Sequence, residues 1–185
     1  MSESDRLHWD PRHTIAGMPE PGERPAPPSV FAHVEDLFPT QGRALELACG
    51  RGRHAVWLAN RGMTYRGVDV SPVAIEIARN LAEARGVGDR CRFEVFDLDE
   101  GLPPGEPVDL LFCHLFRKNP YLDEPMIDRV APGGLLALAS LSVVGASSPG
   151  RFHAPPGELC DSFGHLEVLD EGEGDGMAWI LARRV

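Results

Sequence analysis

The sequence of 185 residues contains no apolar run long enough to cross a bilayer, and little cysteine. A membrane-spanning helix needs about 18 or more consecutive apolar residues, and no stretch approaches that length. Residues 1–10 are polar and acidic, unlike the basic and then apolar pattern of an export signal. The four cysteines, at positions 49, 91, 113 and 160, form no C-x-x-C pair, which favours reduced, buried thiols in a soluble cytoplasmic protein.

Positive charge is also scarce. The 18 Lys and Arg residues stand against 28 Asp and Glu residues, for a formal net charge of −10. A surface that binds nucleic acid or an anionic membrane needs clustered Lys and Arg, so neither partner is expected. The seven histidines form no i, i+4 pair and have no cysteine at zinc-ligand spacing, so no metal site is predicted.

Two regions of different composition are visible. Seven of the 17 prolines fall between Pro11 and Pro39, most densely over residues 19–28, where helix and inner strand are excluded because proline lacks an amide donor. We therefore predict an N-terminal arm over residues 1–43, ending in a short helix over 29–38 with Ser29 as its cap. Residues 44–185 are predicted to form one domain, which matches the chain length.

Short apolar runs alternate with helical patterns after residue 43. The alternation predicts a parallel sheet covered by helices on both faces, which binds its ligand beyond the carboxyl ends of the strands. The core stripe of the second helix is predicted at Ala74, Ile77, Ala78 and Leu81, with Ser71 as its N-cap. The predicted strands are 44–49, 64–70, 92–98, 108–114 and 134–144, the helices 54–61, 72–85, 121–130 and 156–163, and a closing hairpin joins 165–170 to 177–183 through a loose turn.

Three successive strand ends carry residues suited to one ligand. Gly50-x-Gly52 follows the first strand, and glycine lets the backbone approach a ligand closely. Asp69, 17 residues beyond Gly52, can accept from both hydroxyls of a ribose. Asp97 can accept from the amine of an adenine, with Val70 and Leu98 on either side of the ring. The alternative is purely structural: a tight turn, a helix-capping Asp69 and a solvated loop acid.

Residues 50–55 also fit the G-x-G-x-x-A variant of the dinucleotide fingerprint. Glu46 argues against a dinucleotide, because a carboxylate beside a pyrophosphate is repulsive while one beside a cation is favourable. The chain is also short for a second mononucleotide half. S-adenosylmethionine, with a ribose, an adenine, a sulfonium cation and no phosphate, suits the acidic strand ends better.

These residues resemble the class I S-adenosylmethionine-dependent methyltransferases. Residues 45–52 resemble the first motif of the family, 67–71 the second, 108–114 the fourth-strand segment, and 131–136 the turn into the fifth strand. The resemblance implies a Rossmann-like α/β fold, with a seven-stranded, mostly parallel sheet, an antiparallel last strand and helices on both faces. It implies that the cofactor contacts Glu46, Cys49, Gly50 and Gly52 through its methionine portion, Asp69 through its ribose, Val70, Asp97 and Leu98 through its adenine, and Cys113 near the sulfonium, with His114 facing the substrate.

The arm has a narrower similarity to the tellurite-resistance and thiopurine methyltransferase branch. Trp9-Asp10-Pro11-Arg12-His13 resembles the Trp-x-x-Arg-Tyr start of that branch, with His13 in place of the aromatic Tyr. The resemblance implies that the arm folds over the cofactor and that Trp9 and Arg12 contact it. The alternative is that Trp9 only attaches the arm to the core.

Methyl transfer is an in-line displacement that depends mainly on placing the nucleophile, and it needs a general base only when the nucleophile arrives protonated. His114 is the one titratable candidate for such a base. The alternative is that its side chain only packs in the interior, and no catalytic residue is assigned. Lys118-Asn119-Pro120-Tyr121 lacks one proline of the Asn-Pro-Pro-Tyr signature, which disfavours methylation of nucleic-acid amines. We expect a methyltransferase for a small-molecule thiol, chalcogen oxyanion, hydroxyl or amine. The alternatives are a non-catalytic cofactor-binding protein and a nicotinamide-dependent reductase.

Overall fold

The computed structural model describes residues 3–19 and 24–185. Residues 20–23, within the predicted proline-rich arm, lie outside the described residues. The chain divides into two compact units, Met1–Pro104 and Gly105–Val185. The boundary predicted between residues 43 and 44 stays a prediction.

The first unit contains three parallel strands with their connecting helices. β2 pairs with β1 on one side and with β3 on the other, both in parallel. Short 3-10 turns precede and follow β3. The elements are α1 (Glu3–Ala16), a 3-10 helix (Ser29–Leu37), β1 (Arg43–Leu47), α2 (Arg53–Asn60), β2 (Thr64–Asp69), α3 (Pro72–Ala84), 3-10 Gly88–Arg90, β3 (Cys91–Val95) and 3-10 Leu98–Glu100.

Helix α3 confirms the prediction made from its capping residues. The Ser71 hydroxyl accepts from the Ala74 backbone N–H at 3.0 Å, and Pro72 occupies the first turn, where its missing N–H costs nothing. Ala74, Ala78 and Leu81 are buried as predicted. Ile77 is only half-buried, and Ile75 occupies the core instead.

The start of the chain differs from the predicted irregular arm, because residues 3–16 form helix α1. Pro11 lies inside this helix, and a proline there signals a break, which is why the pattern did not predict it. The second helix of the arm was predicted correctly, but Ser29 is not its cap. Pro28 precedes that helix, and no side chain caps its first turn.

The second unit contains four strands. β4 and β5 are parallel, while β7 runs antiparallel to both β5 and β6. Along the sheet the strand order is β3-β2-β1-β4-β5-β7-β6, which confirms the predicted seven-stranded, mostly parallel sheet with an antiparallel last strand. The elements are β4 (Val108–His114), a 3-10 turn (Pro120–Leu122), α4 (Asp123–Arg129), β5 (Val130–Leu141), α5 (Glu158–Phe163), β6 (Glu167–Gly174) and β7 (Met177–Arg183).

Several element boundaries differ from prediction, among them those of β5, and two of these differences have identifiable reasons. Residues 171–174 belong to β6 rather than to a loose connection, because Asp175 and Gly176 alone make the turn, with φ of 50° and 80°. The third strand ends at Val95, so Asp97 and Leu98 follow the strand instead of ending it. Of the four cysteines predicted to be buried, Cys49 and Cys113 are buried, whereas Cys91 is half-buried and Cys160 is exposed. No helix among the described residues has the length and apolar character needed to cross a membrane.

Candidate cofactor site

The turn from β1 into α2 has a backbone that favours glycine. Ala48, Gly50 and Gly52 have positive φ angles of 53°, 51° and 75°. A Cβ on Gly52 would lie 2.8 Å from the Cβ of Ala78, so this glycine allows α2 and α3 to approach. A Cβ on Gly50 would find only the His13 ring, at 3.8 Å. Gly50 is therefore the more open position of the turn.

Asp69 ends β2 and ties two backbone segments together. Its carboxylate accepts from the Gly50 N–H and the Ser71 N–H, each at 2.9 Å and each on a different oxygen. Burial raises the pKa of Asp69, while the two N–H donors lower it. A carboxylate has about four acceptor positions, so these two bonds leave capacity for two hydroxyl groups. The free acceptor positions of Asp69 thus fit the two hydroxyl groups of a ribose.

Glu46 lies deeper than the sequence suggested. It is 1% exposed, and its oxygens pair with His54 Nδ1, at 2.8 Å, and with the Tyr65 hydroxyl. Burial and the neighbouring Glu46 both raise the pKa of Tyr65, which keeps the phenol protonated and able to donate. Direct contact between Glu46 and the methionine portion stays a prediction. In the structure, Glu46 joins β1, β2 and the first turn of α2.

Cys49 and Val70 are both buried beside this network. Burial raises the pKa of the Cys49 thiol, and the carboxylates of Asp69 and Glu46 act in the same direction. Cys49 therefore remains a neutral thiol, which suits packing rather than nucleophilic chemistry.

After β3, Asp97 caps a short 3-10 turn by accepting from the Asp99 N–H at 2.9 Å. Leu98 is fully buried in this structure. Their assigned contacts with an adenine stay predictions. In the second unit, Cys113 is buried and His114 half-buried at the end of β4.

Helix α1 packs against the strand ends of the first unit. The hydroxyl of Ser71 donates to Asp10, and Arg51 donates to the backbone oxygens of Ala16 and Gly17 at 3.0 and 2.6 Å. These two bonds satisfy carbonyls that the end of a helix leaves without partners. Sequence reasoning missed Asp10 and Arg51, because their partners are distant in the chain and no motif marks them.

The two residues of α1 predicted to contact the cofactor lie close to each other. The Arg12 guanidinium is 5.9 Å from the centre of the Trp9 ring and donates to the His8 carbonyl at 2.7 Å. The Trp9 and His13 rings are 6.0 Å apart. Arg12 is exposed and Trp9 half-buried, so their cofactor contacts stay predictions.

His13 is expected to make stability depend on pH. Burial lowers its pKa below the usual 6.5, and Arg51 acts in the same direction, while Asp69 and Asp10 raise it. Folding therefore favours neutral His13, and this contribution is lost as pH falls below about 6.5. From pH 7.5 to 5.5, the free energy of unfolding in urea should fall more steeply for the wild type than for His13→Gln, within the limit of about 1.4 kcal/mol per pH unit for one proton. Parallel curves for the two proteins would contradict this role.

Comparison with known proteins places this geometry in a family. Residues 44–134 match the model of a methyltransferase domain. The chain is 34% identical over 158 residues to trans-aconitate 2-methyltransferase of Streptomyces coelicolor, covering 82% of this chain and 48% of that protein. It is 29% identical over 152 residues to methyltransferase GfsG of Streptomyces halstedii, covering 77% and 53%.

The structure of TehB from Haemophilus influenzae has the same fold, with a TM-score of 0.73 over 97% of this chain and 67% of that one at 17% identity. The chain spans about half the length of the curated relatives it matches. The matched residues include the Gly50 turn, Asp69 and all three predicted adenine contacts, Val70, Asp97 and Leu98. Residues 44–134 therefore form a methyltransferase domain, and the fold around them is that of the class I S-adenosylmethionine-dependent methyltransferases.

Proposed function

We propose that the protein transfers a methyl group from S-adenosylmethionine directly to a small-molecule acceptor. The observation that carries this proposal is Asp69, a buried carboxylate that bridges the Gly50 and Ser71 amides and keeps acceptor capacity on both oxygens. Its nearest turn residue, Gly50, is also the open position of the turn. The two together offer a carboxylate and an accessible backbone at the neighbouring ends of β1 and β2.

The proposed cofactor site comprises the predicted residues. Asp69 holds the ribose hydroxyls, and Gly50 lets the methionine portion approach the backbone. Glu46 is buried next to the turn. Its negative charge attracts a cation there without direct contact, because the Coulomb interaction acts over a distance. The complete proposed set is Trp9, Arg12, Glu46, Cys49, Gly50, Gly52, Asp69, Val70, Asp97, Leu98 and Cys113.

The bound cofactor supplies a methyl group already activated by a sulfonium. The protein therefore needs chiefly to place the acceptor in line and exclude water. His114 is the proposed substrate-facing residue, and as a neutral imidazole it could take a proton from an acceptor that arrives protonated. We propose residues 1–43 as a covering arm, residues 44–185 as the methyltransferase domain, and a cytoplasmic location.

A small acceptor is supported by the name of one relative and by charge. The Streptomyces coelicolor relative is named for methylation of trans-aconitate, a small molecule. The net charge of −10 disfavours a nucleic-acid acceptor. Other relatives of similar identity are named for ribosomal protein L11, so a protein acceptor is an outcome that the test must include.

An acceptor screen scored by release of S-adenosylhomocysteine tests this function. The panel contains a thiol, a tellurite or selenite oxyanion, a phenol, a carboxylate, an amine and ribosomal protein L11. We expect turnover with a small acceptor and a strong loss in Asp69→Ala. Turnover with L11 alone would refute the small-molecule class. Cofactor binding without turnover on the whole panel would favour a non-catalytic binding protein.

A further inference from the structure

A small cavity lies at the carboxyl ends of β4 and β5, within the second unit. It leaves about 10 Å³ for the centre of a water-sized sphere, which is the room needed by one bound oxygen atom. Ligands of open α/β sheets bind at this end of the strands. Apolar side chains form most of its wall, namely Cys113, Phe116, Met126, Leu138, Ala139 and Leu159.

Ser140 gives this apolar cavity a polar atom without a partner. Its side chain is buried, and within residues 3–19 and 24–185 its hydroxyl makes no hydrogen bond. Buried hydroxyls are nearly always paired, because burial without a hydrogen bond is unfavourable. A buried hydroxyl that lines a cavity therefore indicates that its partner comes from outside the chain.

Lys118, the only lysine of the chain, lines the same cavity and is only 5% exposed. Its ammonium lies 2.5 Å from Asp123 Oδ1, donates to the Ser162 hydroxyl at 3.1 Å, and lies 5.3 Å from the centre of the Phe163 ring. An ammonium has three N–H donors; Ser162 accepts from one of them, while Asp123 Oδ1 pairs with the ammonium by charge without hydrogen-bond geometry. Donor capacity therefore remains for an oxygen in the cavity.

The charges around the cavity are balanced. Lys118 is paired with Asp123, and Arg117 is paired with Glu158 at 2.7 Å. Among the described residues that line the cavity, no positive charge is left over to neutralise a carboxylate, and an unpaired buried charge is strongly unfavourable. The lining therefore favours an oxygen that carries no formal charge.

We propose that this cavity receives an uncharged oxygen of the methyl acceptor, a hydroxyl or a carbonyl on an otherwise apolar molecule. Ser140 and Lys118 donate hydrogen bonds to that oxygen, and the carbon that carries it stays at the mouth of the cavity, because the space inside fits one oxygen only. This inference rests on the proposed function, because it takes the occupant of the cavity to be part of the acceptor. It makes Ser140 and Lys118 specificity-determining residues that favour neutral over anionic acceptors.

The single lysine allows a direct test. In protein labelled with ¹⁵N-lysine, the side-chain ammonium gives one NMR signal, which Lys118→Met removes and so assigns. Benzyl alcohol, acetophenone and benzoate are matched probes of similar size, added to protein saturated with S-adenosylhomocysteine. We expect a saturable shift with the two neutral probes and at least about five-fold weaker binding of benzoate. Ser140→Ala should weaken the neutral probes at least about five-fold, whereas Ser147→Ala, at an exposed site, should not.

Each contrary result is decisive. Benzoate binding as tightly as benzyl alcohol would overturn the proposed preference for uncharged acceptors. No saturable shift with any probe would show that the cavity holds water only. Ser140→Ala should keep or raise the thermal midpoint, because it removes an unpaired hydroxyl; a lowered midpoint would contradict that premise.

Calorimetry with S-adenosylhomocysteine on the same samples separates the two proposals. Cofactor binding without a probe shift refutes the cavity proposal alone. A probe shift without cofactor binding refutes the proposed function, and with it the assignment of the occupant as a methyl acceptor, while the cavity remains a site for a neutral oxygen.

Discussion

Replacing Asp69 by alanine is expected to raise the dissociation constant for S-adenosylhomocysteine about 5- to 150-fold. Removing the carboxylate leaves the ribose hydroxyls without their acceptor, a loss of about 1–3 kcal/mol. The variant also removes the partner of the Gly50 and Ser71 amides, which loosens the turn itself. Isothermal titration calorimetry measures the constant directly.

Two further variants make this result interpretable. Asp89→Ala removes an exposed acid from the same unit and should leave the constant unchanged, which controls for net charge. Asp69→Asn keeps the size of the side chain, and its one oxygen can still accept from a backbone amide. A thermal melt of each variant shows whether the fold persists. A folded Asp69→Ala protein with wild-type affinity would remove Asp69 from the site.

Gly52→Ala is expected to lower the free energy of unfolding by about 2–5 kcal/mol. The added Cβ would lie 2.8 Å from the Ala78 Cβ and 3.1 Å from its Cα, so a helix backbone would have to move. Overpacking of this kind costs about 1–3 kcal/mol. The φ of 75° adds about 1–2 kcal/mol for a residue with a side chain. Urea unfolding measures the loss.

Gly50→Ala is the matched control for this substitution. Its φ of 51° carries the same backbone penalty, but its Cβ would have an ordinary contact, 3.8 Å from His13. We therefore expect a loss of only about 1–2 kcal/mol at this position. Equal losses for the two variants would mean that the contact between α2 and α3 does not depend on Gly52.

Local chemistry made much of the fold and part of the site predictable from sequence. Local conformational preferences of single residues, independent of distant contacts, predict the Gly50 turn and the helix start at Ser71 and Pro72. The position of Asp69 follows from the length of one β-α-β unit. These residues therefore appear in the structure where the sequence placed them.

Long-range contacts account for what the sequence did not reveal. Arg51 reaches backbone oxygens about 35 positions earlier in the chain, and Asp10 pairs with Ser71, 61 positions away. No local pattern encodes such pairs. Helix α1 was missed for the same reason, because its contacts with α3 offset the cost of Pro11 and its polar composition does not predict a helix.

The burial of Lys118 was also hidden, since its motif was informative only through its difference from the Asn-Pro-Pro-Tyr signature. Its burial depends on Asp123, Ser162 and Phe163, which the fold brings around a single ammonium. A lysine is seldom this buried unless it is paired, so the signal exists only in three dimensions.

The most direct test of this account is calorimetric titration of the wild-type protein with S-adenosylhomocysteine and, separately, with NADPH. The account predicts saturable binding of the adenosyl ligand and none of NADPH, because Glu46 would repel a pyrophosphate and Asp69 would repel the 2′-phosphate of the adenosine ribose. Binding of NADPH alone would contradict it and make a nicotinamide-dependent reductase the better explanation of the same strand ends.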